Sequence, residues 1–178
     1  MHPLHQFRYC PSCGSESFEA RNEKAKQCTA CGFTYYFNPS AAVACFLKDK
    51  KGRLLVVRRA KHPAKDTLDL PGGFVDMYEP AEEAVRREIQ EETGLAITNC
   101  RYLFSIPNIY PYSGFEVHTL DLFFECHTDS FNQAKAADDA AEIIILPPDK
   151  LHPDAFGLQS IKKAVKQYRH NASKTTAV

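Results

Sequence analysis

The 178-residue sequence has no apolar run long enough to cross a membrane, since none approaches the roughly 18–20 residues that a span requires. It also has no excess of one charge, since Lys+Arg and Asp+Glu both number 22. This disfavours binding to nucleic acid or to an anionic membrane through the net charge of the chain. Residues 1–8 contain no apolar segment of the kind found in secretory signals, so we expect a cytoplasmic protein with no membrane partner. The content of 44% hydrophobic and 25% charged residues is that of an ordinary globular protein, not of a disordered or fibrous one.

Four of the seven cysteines form two CxxC pairs, Cys10 with Cys13 and Cys28 with Cys31. Each pair places two thiolates on one tight turn, and two such turns complete the tetrahedral four-sulfur shell that Zn²⁺ prefers. The alternative is a pair of disulfides, which a reducing compartment disfavours. We therefore predict a structural zinc ribbon over residues 1–37, a unit too small to fold around a core of its own without the metal.

Residues 38–170 are predicted to form a second domain of mixed helices and strands. Two apolar runs at 41–47 and 54–57 flank a charged turn and predict a hairpin, and shorter strand patterns follow, the last at 143–146. A final helix is predicted from apolar residues at helical spacing, namely Ile161, Ala164, Val165 and Tyr168. We expect the tail, residues 171–178, to be frayed.

The segment 79–94 predicts a helix whose apolar stripe contains charge. At about 100° per residue, Glu88 and Glu92 fall on the same side as the apolar residues, and Glu91 lies at the edge of that side. Carboxylates gathered there repel one another and lose hydration unless a positive charge lies against them. A hard divalent cation such as Mg²⁺ or Mn²⁺, sharing its shell with phosphate oxygens, suits this arrangement. An acidic, solvated helix is the alternative.

The same segment carries a longer motif, which reads Gly73, five residues, Glu79, seven residues, and then Arg87-Glu-Ile-Gln-Glu-Glu-Thr-Gly-Leu95. It resembles the Nudix box of the Nudix hydrolases at every specified position. The resemblance, over about residues 38–170, implies an α/β (α+β) fold, an α/β/α sandwich around a mixed sheet. It also implies hydrolysis of a nucleoside diphosphate linked to another moiety. By position it makes Glu88 and Glu92 the main metal ligands, Glu91 a further ligand or base, and the carbonyl of Gly72 another ligand.

Two more charged residues are candidates for the catalytic site. Arg87 lies one turn from both Glu83 and Glu91, so we expect it to pair with one of them and orient the ligands. Glu142 stands just before the predicted last strand, where some Nudix proteins carry an additional catalytic glutamate. It is a second candidate for ligand or base, and a plain surface glutamate is the alternative.

A four-cysteine ribbon ahead of a Nudix domain resembles the NADH pyrophosphatase (NAD diphosphatase) branch. That branch carries Ser-Gln-Pro-Trp-Pro-Phe-Pro-x-Ser after the box, and residues 105–113 here, Ser-Ile-Pro-Asn-Ile-Tyr-Pro-Tyr-Ser, retain its serines, two prolines and an aromatic. Its Gln, Trp and middle Pro are replaced, and the whole chain has no Trp. We expect a stiff loop with a ring for a base, and basic groups nearby for phosphates. The candidate substrate-binding residues are Arg58, Arg59, Pro107, Tyr110, Pro111, Tyr112 and Ser113.

The leading hypothesis is therefore Mg²⁺- or Mn²⁺-dependent hydrolysis of NAD(H) or ADP-ribose to AMP and a second monophosphate. Two alternatives stay open: a house-cleaning hydrolase of noncanonical nucleoside triphosphates, and a non-catalytic module that senses nucleotides or binds nucleic acid. NAD-capped RNA as substrate would combine these classes. We also expect a homodimer.

Overall fold

The computed structural model of the chain describes residues 2–175, which divide between Pro39 and Ser40 into two compact units. The first unit is a three-stranded antiparallel sheet of order β1-β2-β3, with the strands β1 (Phe18–Asn22), β2 (Ala25–Cys28) and β3 (Thr34–Tyr36). Its small apolar cluster consists of Cys10, Phe18 and Cys28, with Phe33 packed against them.

The second unit is built on a six-stranded sheet with two helices. Its elements in chain order are β4 (Ser40–Lys48), β5 (Leu54–Arg59), β6 (Leu68–Asp69), α1 (Ala81–Thr93), β7 (Asn99–Tyr112), β8 (Phe115–His127), β9 (Ala140–Leu146) and α2 (Gln159–Thr175). The order in the sheet is β6-β5-β4-β8-β7, and β9 pairs with β5. Because β4 and β8 run parallel while the other pairs are antiparallel, the sheet is mixed, as predicted.

The two faces of the sheet carry separate cores, because successive side chains of a strand point to opposite faces. On β4, Val43 and Cys45 belong to the cluster that contains the apolar residues of α1. Their neighbours Ala44 and Phe46 belong to the cluster that contains the apolar residues of α2. The α/β/α sandwich is therefore confirmed.

Helix α2 is attached to the sheet by a polar contact as well as by packing. The ring of Tyr168 stacks on Phe46 with centroids 3.9 Å apart, and its hydroxyl donates to Glu125 at 2.7 Å. Lys48 and Arg101 also donate to this carboxylate, at 2.7 and 3.0 Å. Burial by itself would raise the pKa of Glu125, but the hydrogen bonds from Lys48, Tyr168 and Arg101 outweigh it and lower the pKa to about 2.

The segment predicted as a stiff substrate loop, residues 105–113, is instead largely strand. Residues 105–112 continue β7, and the hairpin turns at Ser113 and Gly114, whose φ values of 52° and 73° suit a two-residue turn. Pro107 and Pro111 are tolerated because β7 is an edge strand. A proline has no backbone N–H, and on its outer side an edge strand has no neighbour that would need one. Isoleucine and tyrosine at the intervening positions favour strand over loop.

The C-terminal helix α2 extends to Thr175. Residues 171–175, predicted to fray, continue α2, since no glycine or proline interrupts residues 159–175. The rest of the predicted tail, 176–178, lies outside the described residues. Between residues 2 and 175, no helix combines the length and the apolar character needed to cross a membrane.

Candidate active site

Helix α1 presents carboxylates on the side that faces the sheet. It begins after Pro80 and ends at Gly94, whose φ of 70° is the left-handed conformation common at helix C-termini. Val85 and Ile89 are fully buried, and Glu92 in the same stripe is only 6% exposed. The structure therefore shows what the sequence predicted, a carboxylate buried within the apolar face of α1.

The carboxylate of Glu92 has little to compensate its charge. It accepts one backbone hydrogen bond, from the Gly72 N–H at 3.1 Å. Burial raises its pKa to about 8, the Gly72 N–H opposes this, and the nearby charges of Asp69 and Glu88 add to the increase. A cation bound beside Glu92 would remove this penalty.

Two glycines allow the loop before α1 to approach this cluster. A Cβ on Gly72 would lie 2.1 Å from the carbonyl oxygen of Val43, and a Cβ on Gly73 would lie 2.5 Å from Glu88 Oε1. At Gly72 the obstacle is backbone, so only glycine permits the present path there, whereas a Cβ at Gly73 would require the Glu88 carboxylate to move. The Gly73 requirement of the box motif thus has a steric cause, namely the close approach of backbone and Glu88.

Arg87 holds the acidic residues in a fixed arrangement. Its Nη1 donates to Glu88 Oε1 at 2.8 Å and to Glu91 Oε2 at 3.0 Å, while Nε and Nη2 each donate to Glu79 at 2.9 Å. The sequence offered Glu83 and Glu91 as ion-pair partners of Arg87. The structure shows the pair with Glu91, and it shows Glu79 in place of Glu83. Hydrogen bonds from Arg87 lower the pKa of Glu79, whereas burial raises the pKa of Glu88.

The donor set fits a hard divalent cation. Glu88, Glu91 and Glu92 offer carboxylate oxygens on one helix face, which are the ligands that Mg²⁺ and Mn²⁺ prefer. Glu92 is buried with one hydrogen bond, and Glu91, with 49% of its side chain exposed, remains accessible to solvent.

These carboxylates border a cleft of about 560 Å³ in the second unit. It runs from α1 past the glycine loop to the face of the sheet that packs on α2, where strands β7 and β8 form its floor. The predicted site residues that line it are Arg59, Gly72, Arg87, Glu88, Glu91, Glu92, Tyr110 and Tyr112. The predicted residues outside its lining, as far as the described chain shows, are Arg58, Pro107, Pro111, Ser113 and Glu142.

Both predicted substrate-binding arginines form hydrogen bonds with protein groups. Arg58 donates to Glu142 at 2.8 Å, where β5 and β9 pair side by side. Arg59 donates to Asp69 at 2.5 Å and to the hydroxyl of Tyr110 at 3.2 Å. The predicted role of both arginines in binding phosphate would require these contacts to be shared or exchanged.

Several residues that line the cleft were missed from the sequence. They are Asp69, Phe74, Asn108, Thr119 and Asp121. The available signal was a carboxylate inside an apolar strand pattern, as in Leu120-Asp-Leu-Phe-Phe124, but it does not reveal which face the carboxylate occupies. The ring of Phe74 meets that of Tyr110 edge to face, with centroids 5.9 Å apart and planes at 88°.

The first unit contains a second candidate metal centre. The sulfurs of Cys10, Cys13, Cys28 and Cys31 all lie within 4.8 Å of one another. Cys10 to Cys31 and Cys13 to Cys28 are each 3.7 Å apart, and all four are free thiols. A tetrahedral site with Zn–S bonds of about 2.3 Å has sulfurs about 3.8 Å apart, so the four thiols can hold such an ion.

A family model described as NUDIX domain matches residues 38–168. The chain belongs to the NUDIX family. The predicted membership among the Nudix hydrolases is therefore confirmed.

Similar proteins agree with this assignment. The NAD-capped RNA hydrolase NudC of Chromobacterium violaceum is 33% identical over 110 residues, which are 62% of this chain and 41% of that protein. The chain thus aligns with about two fifths of the length of the curated relatives it matches.

Solved NUDIX structures share the fold. A NUDIX hydrolase from Nitrosomonas europaea superposes with a TM-score of 0.71 at 18% identity, covering 92% of this chain and 90% of that one. A MutT NUDIX hydrolase from Burkholderia pseudomallei gives a TM-score of 0.62 at 26% identity, covering 74% of this chain and 98% of that one.

Proposed function

We propose that this NUDIX protein hydrolyses the pyrophosphate bond of an NAD-type nucleotide, free or at the end of an RNA, and releases AMP or an AMP-ended RNA with a second monophosphate. The observation that carries the proposal is the cluster of Glu88, Glu91 and Glu92 beside the Gly72–Gly73 backbone at the mouth of a cleft. Support for the nucleotide comes from the relatives named NAD-capped RNA hydrolase and from the four-cysteine ribbon ahead of the domain.

The residues of α1 would act as follows. Glu88 and Glu92, with the carbonyl of Gly72, would hold Mg²⁺ or Mn²⁺, which when bound supplies positive charge to the phosphate oxygens and lowers the pKa of a water. Arg87 keeps the ligand oxygens oriented. Glu91, which lines the cleft and is half exposed, would take the proton of the attacking water. The water oxygen bonds to one phosphorus as the bond from that phosphorus to the bridging oxygen breaks.

Glu142 was the other candidate base. Glu142 and Glu91 each accept a hydrogen bond from an arginine, from Arg58 at 2.8 Å and from Arg87 at 3.0 Å, but of the two only Glu91 belongs to the described lining of the cleft. We therefore assign the proton to Glu91 and propose that Glu142 neutralises Arg58.

The test compares two charge-neutralising variants of α1. Glu92→Gln removes a charge within the cleft, and Glu82→Gln removes one from the exposed face of the same helix. Phosphate release, coupled to a phosphatase, is measured for NAD⁺, NADH, ADP-ribose, NAD-capped RNA and nucleoside triphosphates with Mg²⁺ or Mn²⁺. We expect an NAD-type substrate to be preferred, Glu82→Gln to match the wild type, and Glu92→Gln to lose about 10²-fold or more in kcat.

Other results would redirect the assignment. Preference for a triphosphate, with pyrophosphate as product, would favour the house-cleaning hydrolase. Tight nucleotide binding without turnover would favour the sensor. Full activity of Glu92→Gln would contradict the proposed roles of the α1 carboxylates.

The first unit would carry a structural zinc ion, because four thiolates fill its shell and leave no position for a reacting water. None of the seven cysteines forms a disulfide in the described part of the chain, which supports a reducing compartment such as the cytoplasm. A homodimer stays a prediction that sedimentation would test.

A further inference from the structure

One carboxylate in the cleft is used neither by the proposed chemistry nor by the packing. Asp121 lies on β8, is only 7% exposed, and lines the cleft. Within the described chain, its hydrogen bond is the one it accepts from the hydroxyl of Thr119 at 2.6 Å. A carboxylate has more acceptor positions than the one that Thr119 occupies, so Asp121 can accept a further hydrogen bond from a group in the cleft.

The surroundings of Asp121 exclude an anionic partner. Asp69 also lines this part of the cleft and is close enough that the two charges interact. Arg59, which lines the same cleft, is already paired with Asp69 at 2.5 Å. A phosphate placed here would face two carboxylates with no free positive charge, whereas a neutral group that donates a hydrogen bond would be attracted.

The neighbouring strands provide room for a flat ring beside this carboxylate. Asp121 pairs with Ala42 on β4, and Ala42 forms a bridge with Phe74 on its other side. Adjacent strands are about 4.8 Å apart, so the backbones at Asp121 and Phe74 lie about 10 Å apart. Ala42, the residue between them, has only a methyl side chain. The rings of Phe74 and Tyr110 line the same cleft. A base that packs its face on one of these rings would have its edge free to reach a polar group such as Asp121.

We infer that Asp121 is a specificity-determining residue, which accepts a hydrogen bond from a neutral N–H or O–H donor of the nucleotide while the phosphates lie at α1. The inference rests on the proposed function, since it assumes a nucleotide in this cleft. Three groups of an NAD-type nucleotide share the required chemistry: the amino group of adenine, the carboxamide of nicotinamide and a ribose hydroxyl.

The experiment replaces each donor in turn. The probes are NAD⁺, nicotinamide hypoxanthine dinucleotide (amino to carbonyl), nicotinic acid adenine dinucleotide (carboxamide to carboxylate) and 2′-deoxy and 3′-deoxy forms of NAD⁺. Affinity by calorimetry and kcat/KM are measured for the wild type, for Asp121→Asn and for Glu116→Gln. Glu116 is an exposed residue of β8 at an even position, on the face opposite Asp121, and serves as the matched control.

The wild type should discriminate against one analogue by about 10- to 100-fold, since a buried acceptor facing another acceptor loses its hydrogen bond. If the rejected analogue carries a carbonyl or carboxylate, Asp121→Asn should reduce this ratio at least about tenfold, because its amide can also donate. If the rejected analogue is a deoxy form, Asp121→Asn should reduce the ratio less, because a neutral amide oxygen accepts more weakly than a carboxylate. Glu116→Gln should leave the ratio unchanged. The analogue that is rejected identifies the donor.

Equal treatment of all analogues by the wild type would overturn the inference. So would a parallel loss on every probe in Asp121→Asn. Absence of turnover with every probe would instead contradict the proposed function, and the affinity ratios would still decide the role of Asp121.

Discussion

Replacing Glu92 by Gln should remove activity and at the same time stabilise the metal-free protein at alkaline pH. The carboxylate is 6% exposed and receives one hydrogen bond, from the Gly72 N–H. A carboxyl whose pKa is higher in the folded state binds its proton more tightly there, so ionisation at high pH costs stability. Gln has nearly the same shape, retains an acceptor for the Gly72 N–H and cannot ionise.

The magnitude follows from the pKa of Glu92, which burial raises from 4.5 to about 8. A displacement of this size corresponds to about 5 kcal/mol between the two protonation states. This contribution is absent below about pH 4.5, where Glu92 is protonated in both folded and unfolded chains, and is complete above about pH 8. The wild type should therefore lose up to about 5 kcal/mol across that window through Glu92 alone, and Glu92→Gln should not.

The assay is urea unfolding followed by the helical circular dichroism signal, without Mg²⁺ or Mn²⁺, at about pH 5 and about pH 9. We expect similar unfolding free energies for wild type and Glu92→Gln at the lower pH and a more stable variant at the higher pH. Glu82→Gln, on the exposed face of α1, should follow the wild type at both. If Glu92→Gln were no more stable than the wild type at about pH 9, the reasoning that Glu92 is an uncompensated buried charge would be refuted.

Three further predictions concern other parts of the molecule. Gly73→Ala should displace the Glu88 carboxylate, which would lie 2.5 Å from the new Cβ, and lower kcat about 10²-fold with the fold retained; unchanged kinetics would contradict the steric role of Gly73. The pKa of Glu125 is lowered to about 2, so its ionised form contributes stability that is lost as the pH falls from about 4.5 to about 2. In Glu125→Gln the unfolding free energy should therefore decrease by up to about 3 kcal/mol less than in the wild type across that window. An equally steep profile in the variant would refute this. Cys13→Ser should abolish zinc binding, measured by metal analysis, and lower the amide protection of β1–β3; full zinc content would contradict the four-thiolate site.

Local sequence patterns were sufficient to predict those features of the structure that depend on residues close together in the sequence. The spacing of Glu88 and Glu92 within an apolar stripe predicted the orientation of α1, because helical periodicity alone decides which residues share a face. The two CxxC pairs predicted the sulfur cluster for a similar reason, since each tight turn positions its own two thiols.

Other features depended on which strands become neighbours, and these the sequence did not reveal. Residues 105–113 were expected to form a loop, but they pair with β8 along the sheet edge, where their prolines are tolerated. The sequence offered Glu142 as a candidate base but did not reveal that β9 pairs with β5 and places this carboxylate against Arg58. Asp121 was not singled out, because only the meeting of β4 and β8 places it in the cleft.

The sequence by itself thus determined the family, the helix that carries the acidic cluster and the four thiols, since each depends on residues within a turn or two of one another. Tertiary structure alone decided the partners of Arg58 and Arg59, the composition of the cleft floor and the burial that raises the pKa of Glu92. The physical reason is that burial and ion pairing arise from segments far apart in the chain. Their proximity is set by the order of strands in the sheet, which no local pattern specifies.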